Sequence, residues 1–315
     1  MRIVFFGTPE FAVHILEGIT QSDHELVGVV TAPDRKRGRG QKLAPSPVKE
    51  FATKKSIKVL QPTNLKDQSF QNELRDLKGE IFIVVAFRML PESVWNMPPK
   101  GTYNAHASLL PQYRGAAPIN WVLINDEKHT GVTVFRLKHE IDTGDILLKE
   151  SIEIESEDNA GSLHNKLMEL SRKLILKALD IIPKNPEFLP QKAFQTTVPL
   201  KKAPKLHKAD LIINWENSSK SVHNFIRGLS PYPGATTVFQ FGSQFKTVKI
   251  YKSELTDKPS SHPGMIETDG AIYLRICCKD FQLNITELKI QGRKTMTTPE
   301  FLRGTSMEKV LVNLP

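Results

Sequence analysis

Long apolar runs are missing from this 315-residue chain. The longest clear one, Ile81 to Phe87, is far short of the roughly 18 residues that span a bilayer, so no membrane partner is expected. Cysteine is nearly absent as well, with only the adjacent pair Cys277 and Cys278. That spacing matches no zinc site and allows only a strained vicinal disulfide, so the expectation is a cytoplasmic protein with no metal. Glycine is missing where two common nucleotide folds need it. The first turn, Gly7-Thr8-Pro9-Glu10, lacks the second and third glycines of G-x-G-x-x-G, and no G-x-x-x-x-G-K-[ST] occurs anywhere. Neither NAD nor a P-loop nucleotide is therefore expected. Thr8 as N-cap and Pro9 at the first helical position account for that turn structurally. The opening Met1 to Gly7 reads as a strand feeding this helix, not as a signal peptide. No internal repeat is present.

Acidic residues are scarce in one part of the chain only. Residues 201–315 carry 17 Lys and Arg against 10 Asp and Glu, whereas residues 1–200 carry 26 against 24. Most of the net charge of +9 thus falls in the last third. A second basic cluster, Arg35, Lys36, Arg37, Arg39 and Lys42, occupies a Gly-containing loop near the front. Basic surface of this kind suits a polyanionic partner, and equally serves as a solubilising face.

Short β-rich runs at Ile3–Phe6, Leu26–Thr31, Ile57–Leu60 and Ile81–Ala86 alternate with helical patterns at Pro9–Ile19, Ser46–Lys55 and Asn64–Leu77. Such alternation predicts an α/β, Rossmann-like doubly wound, mainly parallel sheet. Ile81 to Ala86 is apolar on both faces, as a central parallel strand requires. A helix over Ala116–Asn125 and strands at Gly131–Leu137 and Ile146–Ile154 follow. The pattern from Ala160 to Ile182 is one long helix with leucines spaced by three and four, ended by Pro183. Pro, Lys, Gln and Thr then dominate. The reading is a first domain over 1–184, a linker over 185–206, and a second, smaller OB-like β-barrel domain over 207–315 built from short strands.

Chemistry concentrates at Asn104-Ala105-His106-Ala107-Ser108-Leu109-Leu110-Pro111. On a strand, Asn104, His106 and Ser108 point to one side. An amide donor and an imidazole two residues apart at a strand end can act together on a developing oxyanion. A histidine in that role needs a carboxylate, and Ile141-Asp142-Thr143-Gly144-Asp145 supplies two candidates in a turn, where aspartate is equally a turn former.

These residues together resemble the formyltransferase family that uses 10-formyltetrahydrofolate. The match rests on Asn104-x-His106-x-Ser108-Leu109-Leu110-Pro111-x-x-Arg114-Gly115 followed by Asp142-Thr143-Gly144-Asp145. It extends to Phe6-Gly7-Thr8-Pro9-Glu10-Phe11-Ala12, to Pro33-Asp34-Arg35 and Pro45-Ser46-Pro47-Val48-Lys49, and to Gln291-Gly292-Arg293-Lys294 near the end. The branch most resembled acts on methionyl-tRNA. Two stretches depart from the family pattern: Ala105 and Ala107 around the histidine, and Phe87-Arg88-Met89 before Leu90-Pro91, where Tyr-Gly and one more residue are usual.

The resemblance implies an enzyme moving a formyl group from 10-formyltetrahydrofolate to the α-amino group of methionine on initiator tRNA, in translation initiation. It implies Asn104, His106 and Asp142 as catalytic residues and Ser108, Leu109, Leu110 and Pro111 as the folate site. It also implies that the Arg35, Lys36, Arg37, Arg39, Lys42 loop contacts tRNA, in a protein expected to be monomeric. The alternatives are a 10-formyltetrahydrofolate hydrolase or sugar-nucleotide formyltransferase of the same superfamily, and, from another class, a non-enzymatic RNA-binding protein.

Overall fold

A computed structural model describes residues 1–37, 41–194, 198–307 and 310–313. Strands β1 (Arg2–Gly7), β2 (Glu25–Val30), β3 (Arg35–Arg37), β4 (Lys42–Ala44), β5 (Val59–Leu60), β6 (Ile81–Val85), β7 (Thr102–His106), β8 (Arg114–Gly115), β9 (His129–Arg136) and β10 (Ile146–Glu153) come first. They alternate with helices α1 (Glu10–Thr20), α2 (Pro47–Lys54), α3 (Gln68–Asp76), α4 (Glu92–Trp95), α5 (Pro118–Ile124) and α6 (Ala160–Ile181).

The main sheet has the order β10-β9-β7-β6-β1-β2-β5. Strand β1 pairs in parallel with β2 and β6, β2 with β5, and β6 with β7; only then does β9 run antiparallel to β7. The expected doubly wound, mainly parallel sheet is what forms. Its strand order reverses between β1 and β6, and in such sheets ligands bind outside the carboxyl ends of the strands at that reversal. Strand β6 is buried along its whole length, as its unbroken apolar run requires.

Helix α1 begins one residue later than the sequence suggests. Pro9 is its N-cap and no side chain caps it, so Thr8 is not the cap expected of it. Gly7 is needed for packing instead. A Cβ there meets the Ala12 Cβ at 2.6 Å and the Val85 carbonyl oxygen at 3.2 Å. Helix α2 does have its expected cap, with Ser46 Oγ accepting from Lys49 N at 3.1 Å.

The contact pattern divides the chain into two units, Met1–Gly115 with Thr130–Ile152 and Asn165–Lys202, and Ala116–His129 with Glu153–His164 and Ala203–Pro315. In the second unit, strands β12 (Ala235–Phe241), β13 (Gln244–Pro259), β14 (Ile266–Thr268), β15 (Leu274–Cys277), β16 (Phe281–Ile290), β17 (Met296–Thr297) and β18 (Val310–Asn313) follow the short β11 (Lys202–Ala203), with helices α7 (Ser219–Leu229) and α8 (Thr298–Arg303). They form an antiparallel sheet in the order β14-β15-β16-β13-β12-β18, with β17 paired to β16.

Register shifts after Ile250, Lys252 and Leu255 bend the long β13 so that the sheet curls towards a barrel and its edge strands β14 and β18 approach. Trp215, Phe239 and Phe301 fill the interior, fully buried, and Trp215 Nε1 donates to Thr237 Oγ1 at 3.1 Å. Truncating one buried aromatic of this kind costs about 3–5 kcal/mol. Both cysteines are buried free thiols, Cys278 within this core, and burial, with Asp280 next in effect, pushes the Cys278 thiol up to about 12. Among the described residues no helix is long and apolar enough to cross a membrane.

Candidate active site

Strand β7 carries Asn104 and His106 to the carboxyl end of the sheet, next to the β1/β6 reversal. The strand ends at His106, so the alternation expected to include Ser108 stops there. Ser108 lies in the following bend, fully buried, with its Oγ donating to the Gln112 carbonyl at 2.8 Å. Asn104 is half-buried and its side-chain amide makes no hydrogen bond among the described residues. It is an available donor.

Two stretches of chain converge on His106. Its Nε2 lies 2.8 Å from the Tyr113 carbonyl oxygen, an acceptor only, so Nε2 carries a proton and donates it there. Tyr113 has a φ of +61°, a left-handed conformation unusual for a bulky residue, and this aims its carbonyl at the ring. His106 Nδ1 faces Asp142 Oδ2 at 3.8 Å, with side-chain exposures of 7% and 12% for the two residues. At that spacing no direct hydrogen bond forms, and the imidazole nitrogen and the carboxylate flank a gap instead. Asp142 Oδ2 also accepts from Gly115 N at 3.0 Å.

The turn bearing Asp142 is tightly specified. Asp142 itself sits at φ +54°, a region aspartate tolerates better than most side chains. Two residues on, a Cβ at Gly144 falls 1.7 Å from the Arg136 carbonyl oxygen, so only glycine fits. Asp145, the second candidate carboxylate, takes Lys138 Nζ at 2.7 Å instead and does not pair with His106. Of the two carboxylates, Asp142 is the one that faces His106.

One residue at this site escaped the sequence reading. Gln191 lies within the stretch read as a linker, yet it is 5% exposed. Its Nε2 donates to the carbonyls of Asp142 at 2.8 Å and Gly144 at 2.9 Å. Its Oε1 accepts from Arg114 Nε at 3.1 Å and Nη2 at 2.6 Å. One amide therefore ties the Asp142 turn to the strand next to Tyr113. Neighbouring Phe188 stacks on Tyr103, and Leu189 bridges to Ile146. Proline-rich composition concealed all of this.

The turn expected to hold folate is mostly inward-facing. Leu110 is fully buried against Phe135 and Ile146, Pro111 is buried, and Leu109 is half-buried. Thr133 Oγ1 donates to the Ser108 carbonyl and accepts from Leu110 N, and Lys149 Nζ donates to the Leu110 carbonyl at 3.3 Å while lying 3.9 Å over the Phe194 ring. Burial holds the Lys149 pKa below its usual value. Of the basic loop, Arg35–Arg37 and Lys42–Ala44 form an antiparallel hairpin; Arg39 lies outside the described residues. No group of three or more His, Cys, Asp or Glu positioned to hold a metal occurs among the described residues.

Residues 1–179 match the formyl transferase family, and residues 205–306 match the formyl transferase C-terminal domain. The chain belongs to the formyl transferase family. Among relatives, the methionyl-tRNA formyltransferase of Bacteroides fragilis is 46% identical over 307 residues, covering 96% of this chain and 95% of that protein. Among solved structures, an N-formyltransferase from Helicobacter canadensis, in complex with folinic acid and dTDP-3-aminofucose, superposes with a TM-score of 0.64 at 23% identity. The match covers 90% of this chain and 98% of that one. HypX from Aquifex aeolicus with tetrahydrofolic acid gives a TM-score of 0.64 at 20% identity, over 97% of this chain and about half (48%) of that longer protein. Both solved structures thus share the fold described here.

Proposed function

We propose that this formyl transferase moves the formyl group of 10-formyltetrahydrofolate to the α-amino group of methionyl initiator tRNA, in the cytoplasm, ahead of translation initiation. The observation that carries the reading is the convergence of Asn104, His106 and Asp142 at one strand end. Support for the acceptor comes from the near full-length similarity to a methionyl-tRNA formyltransferase and from the basic last third of the chain.

In this reading the neutral α-amine attacks the formyl carbon, and charge gathers on the formyl oxygen. Asn104 donates to that oxygen through its unpaired amide. The His106 ring, held by the Tyr113 carbonyl at Nε2, presents Nδ1 as the second donor, and Asp142 across the gap stabilises positive charge on the ring. The bond from carbon to the folate N10 then breaks as the new amide forms. The proton shed by the attacking amine passes, through Asp142 or a water it holds, to N10 of the leaving tetrahydrofolate. The folate lies along the Ser108–Pro111 turn, meeting Leu109. Residues 1–184 carry this chemistry, while residues 207–315 and the Arg35–Lys42 hairpin bind tRNA phosphates.

The test is formyl transfer by the purified protein from 10-formyltetrahydrofolate to methionyl initiator tRNA, with free methionine and an amino-sugar nucleotide as parallel acceptors. Transfer to methionyl-tRNA alone supports the reading. Preference for the sugar nucleotide, or folate hydrolysis without an acceptor, overturns it.

A further inference from the structure

A second feature at the carboxyl end of the sheet joins Arg35 of the hairpin to residues given no role so far. Beside the β1/β6 reversal is a cavity of about 220 Å³ whose walls include Thr8 after β1, Arg35 at the foot of the hairpin, Ser46, and Phe87 and Arg88 after β6. Arg88 is held in place without a carboxylate. Its Nη1 donates to the Thr63 carbonyl at 2.8 Å, Nη2 donates to the Pro62 carbonyl, and the guanidinium rests over the Phe87 ring, 5.6 Å from its centroid. Phe87 in turn packs edge-on against Phe6.

Two cations share this cavity. Neither Arg35 nor Arg88 has a carboxylate within 4.0 Å among the described residues. The nearest acid in sequence, Asp34, is already taken by Lys49 Nζ at 2.6 Å and Gln61 Nε2 at 2.8 Å. Burial and the Arg35 charge both hold the Arg88 pKa below its usual value, as convergent cations awaiting an anion do. Since Thr8 does not cap α1, its hydroxyl is also uncommitted among the described residues.

We propose that this cavity is an anion subsite in which Arg88 and Arg35 grip the phosphodiester nearest the 3′ end of the acceptor tRNA. The inference rests on the methionyl-tRNA reading above. Reach supports it. Asn104 pairs with Val84 on β6, and that strand ends at Val85, two residues before Phe87, so Asn104 and the cavity open at the same carboxyl end of the sheet. In an aminoacyl-tRNA, about eight covalent bonds separate the α-amine from the phosphorus of the terminal nucleotide, roughly 10 Å when extended. An amine at Asn104 thus leaves that phosphate within reach of the same end of the sheet, where the arginines stand. Guanidinium forks match the paired oxygens of a phosphodiester, which makes Arg88 a binding determinant for the acceptor.

The experiment compares the wild-type protein, Arg88→Ala and Arg88→Lys with two methionyl-tRNAs, one native and one carrying an uncharged methylphosphonate at the terminal linkage. For Arg88→Ala the KM for native tRNA is expected to rise about tenfold or more, with the KM for folate unchanged as evidence of an intact fold. Arg88→Lys is expected to recover part of that loss. The methylphosphonate is expected to raise the KM of the wild-type protein but not further that of Arg88→Ala. Equal responses of the two proteins to the methylphosphonate, or a rise confined to the folate KM, overturn the subsite. Failure of the wild-type protein to formylate native methionyl-tRNA overturns the underlying reading instead, so the two failures are told apart.

Discussion

The Gln191 side-chain amide donates to the backbone carbonyl of Asp142 at 2.8 Å, from a stretch of chain nearly fifty residues away. Asp142 is held in a left-handed conformation, and its carboxylate direction depends on how firmly its turn is fixed. Gln191→Ala removes two donors from that turn and leaves the Arg114 guanidinium without its acceptor. Gln191→Glu keeps the acceptor and removes the donors. Both are expected to lower kcat about 10- to 100-fold, the usual cost of losing a partner that orients a working group, with the KM for folate and for tRNA little changed. A loss of stability with full turnover in the surviving protein contradicts the positioning role.

The Asn104 side chain makes no hydrogen bond among the described residues, which makes its substitution unusually clean. Asn104→Ala is expected to lower kcat by about 10²–10³ while leaving the melting temperature near that of wild type. Single-turnover formylation and a thermal melt on the same preparation check both halves. Full activity removes Asn104 from the mechanism.

Charge at Asp142 is separable from shape. Asn tolerates a φ near +54° as Asp does, and its side-chain oxygen still accepts from Gly115 N. Asp142→Asn is therefore expected to fold normally and to lose about 100-fold or more in kcat. Asp145→Asn, which loses only an exposed pairing with Lys138, is expected to stay within a few-fold of wild type. A reversed ranking transfers the role to Asp145.

How much of this was readable beforehand depends on the kind of interaction involved. Strand β6 was legible because burial on both faces demands an unbroken apolar run, and β7 because Asn104 and His106 alternate with buried residues. Ser108 was misplaced because alternation says nothing of where a strand ends. Asp142 and Asp145 were indistinguishable in sequence, since the difference lies in Lys138 and in the Gly144 close approach, both tertiary. Gln191 was invisible for a similar reason. A buried glutamine bonding to backbone carbonyls leaves no periodicity, and the prolines around it resemble those of a free linker. Thr8 failed differently: capping preference is a local prior, and here the helix starts a residue later.

His223 offers a test of the second unit by pH. It lies half-buried with Nδ1 3.1 Å from Ser253 Oγ, and burial first, then the Arg227 guanidinium, hold its pKa below the usual 6.5. Below about pH 6.5 the unfolded chain binds more protons at this position than the folded one, so the stabilisation present above that pH declines as pH falls towards the folded-state value. His223→Gln, which keeps a polar partner for Ser253, is expected to flatten the fall in melting temperature between pH 7 and pH 5. Parallel curves for the two proteins contradict this.

The basic hairpin should report through salt. Lys36 and Lys42 are exposed on its two strands, where their charge meets solvent unless a polyanion covers it. Each phosphate contact contributes a slope of roughly 0.7–0.9 in the logarithm of affinity against the logarithm of salt concentration. Lys36→Ala with Lys42→Ala is therefore expected to raise the KM for methionyl-tRNA, to reduce its salt slope by about 1–2, and to leave the KM for folate unchanged. Because the hairpin's charges act through phosphates, the loss should be similar for initiator and elongator methionyl-tRNA. A loss seen with initiator tRNA alone means instead that the hairpin reads sequence or shape, and an unchanged salt slope removes it from the tRNA interface.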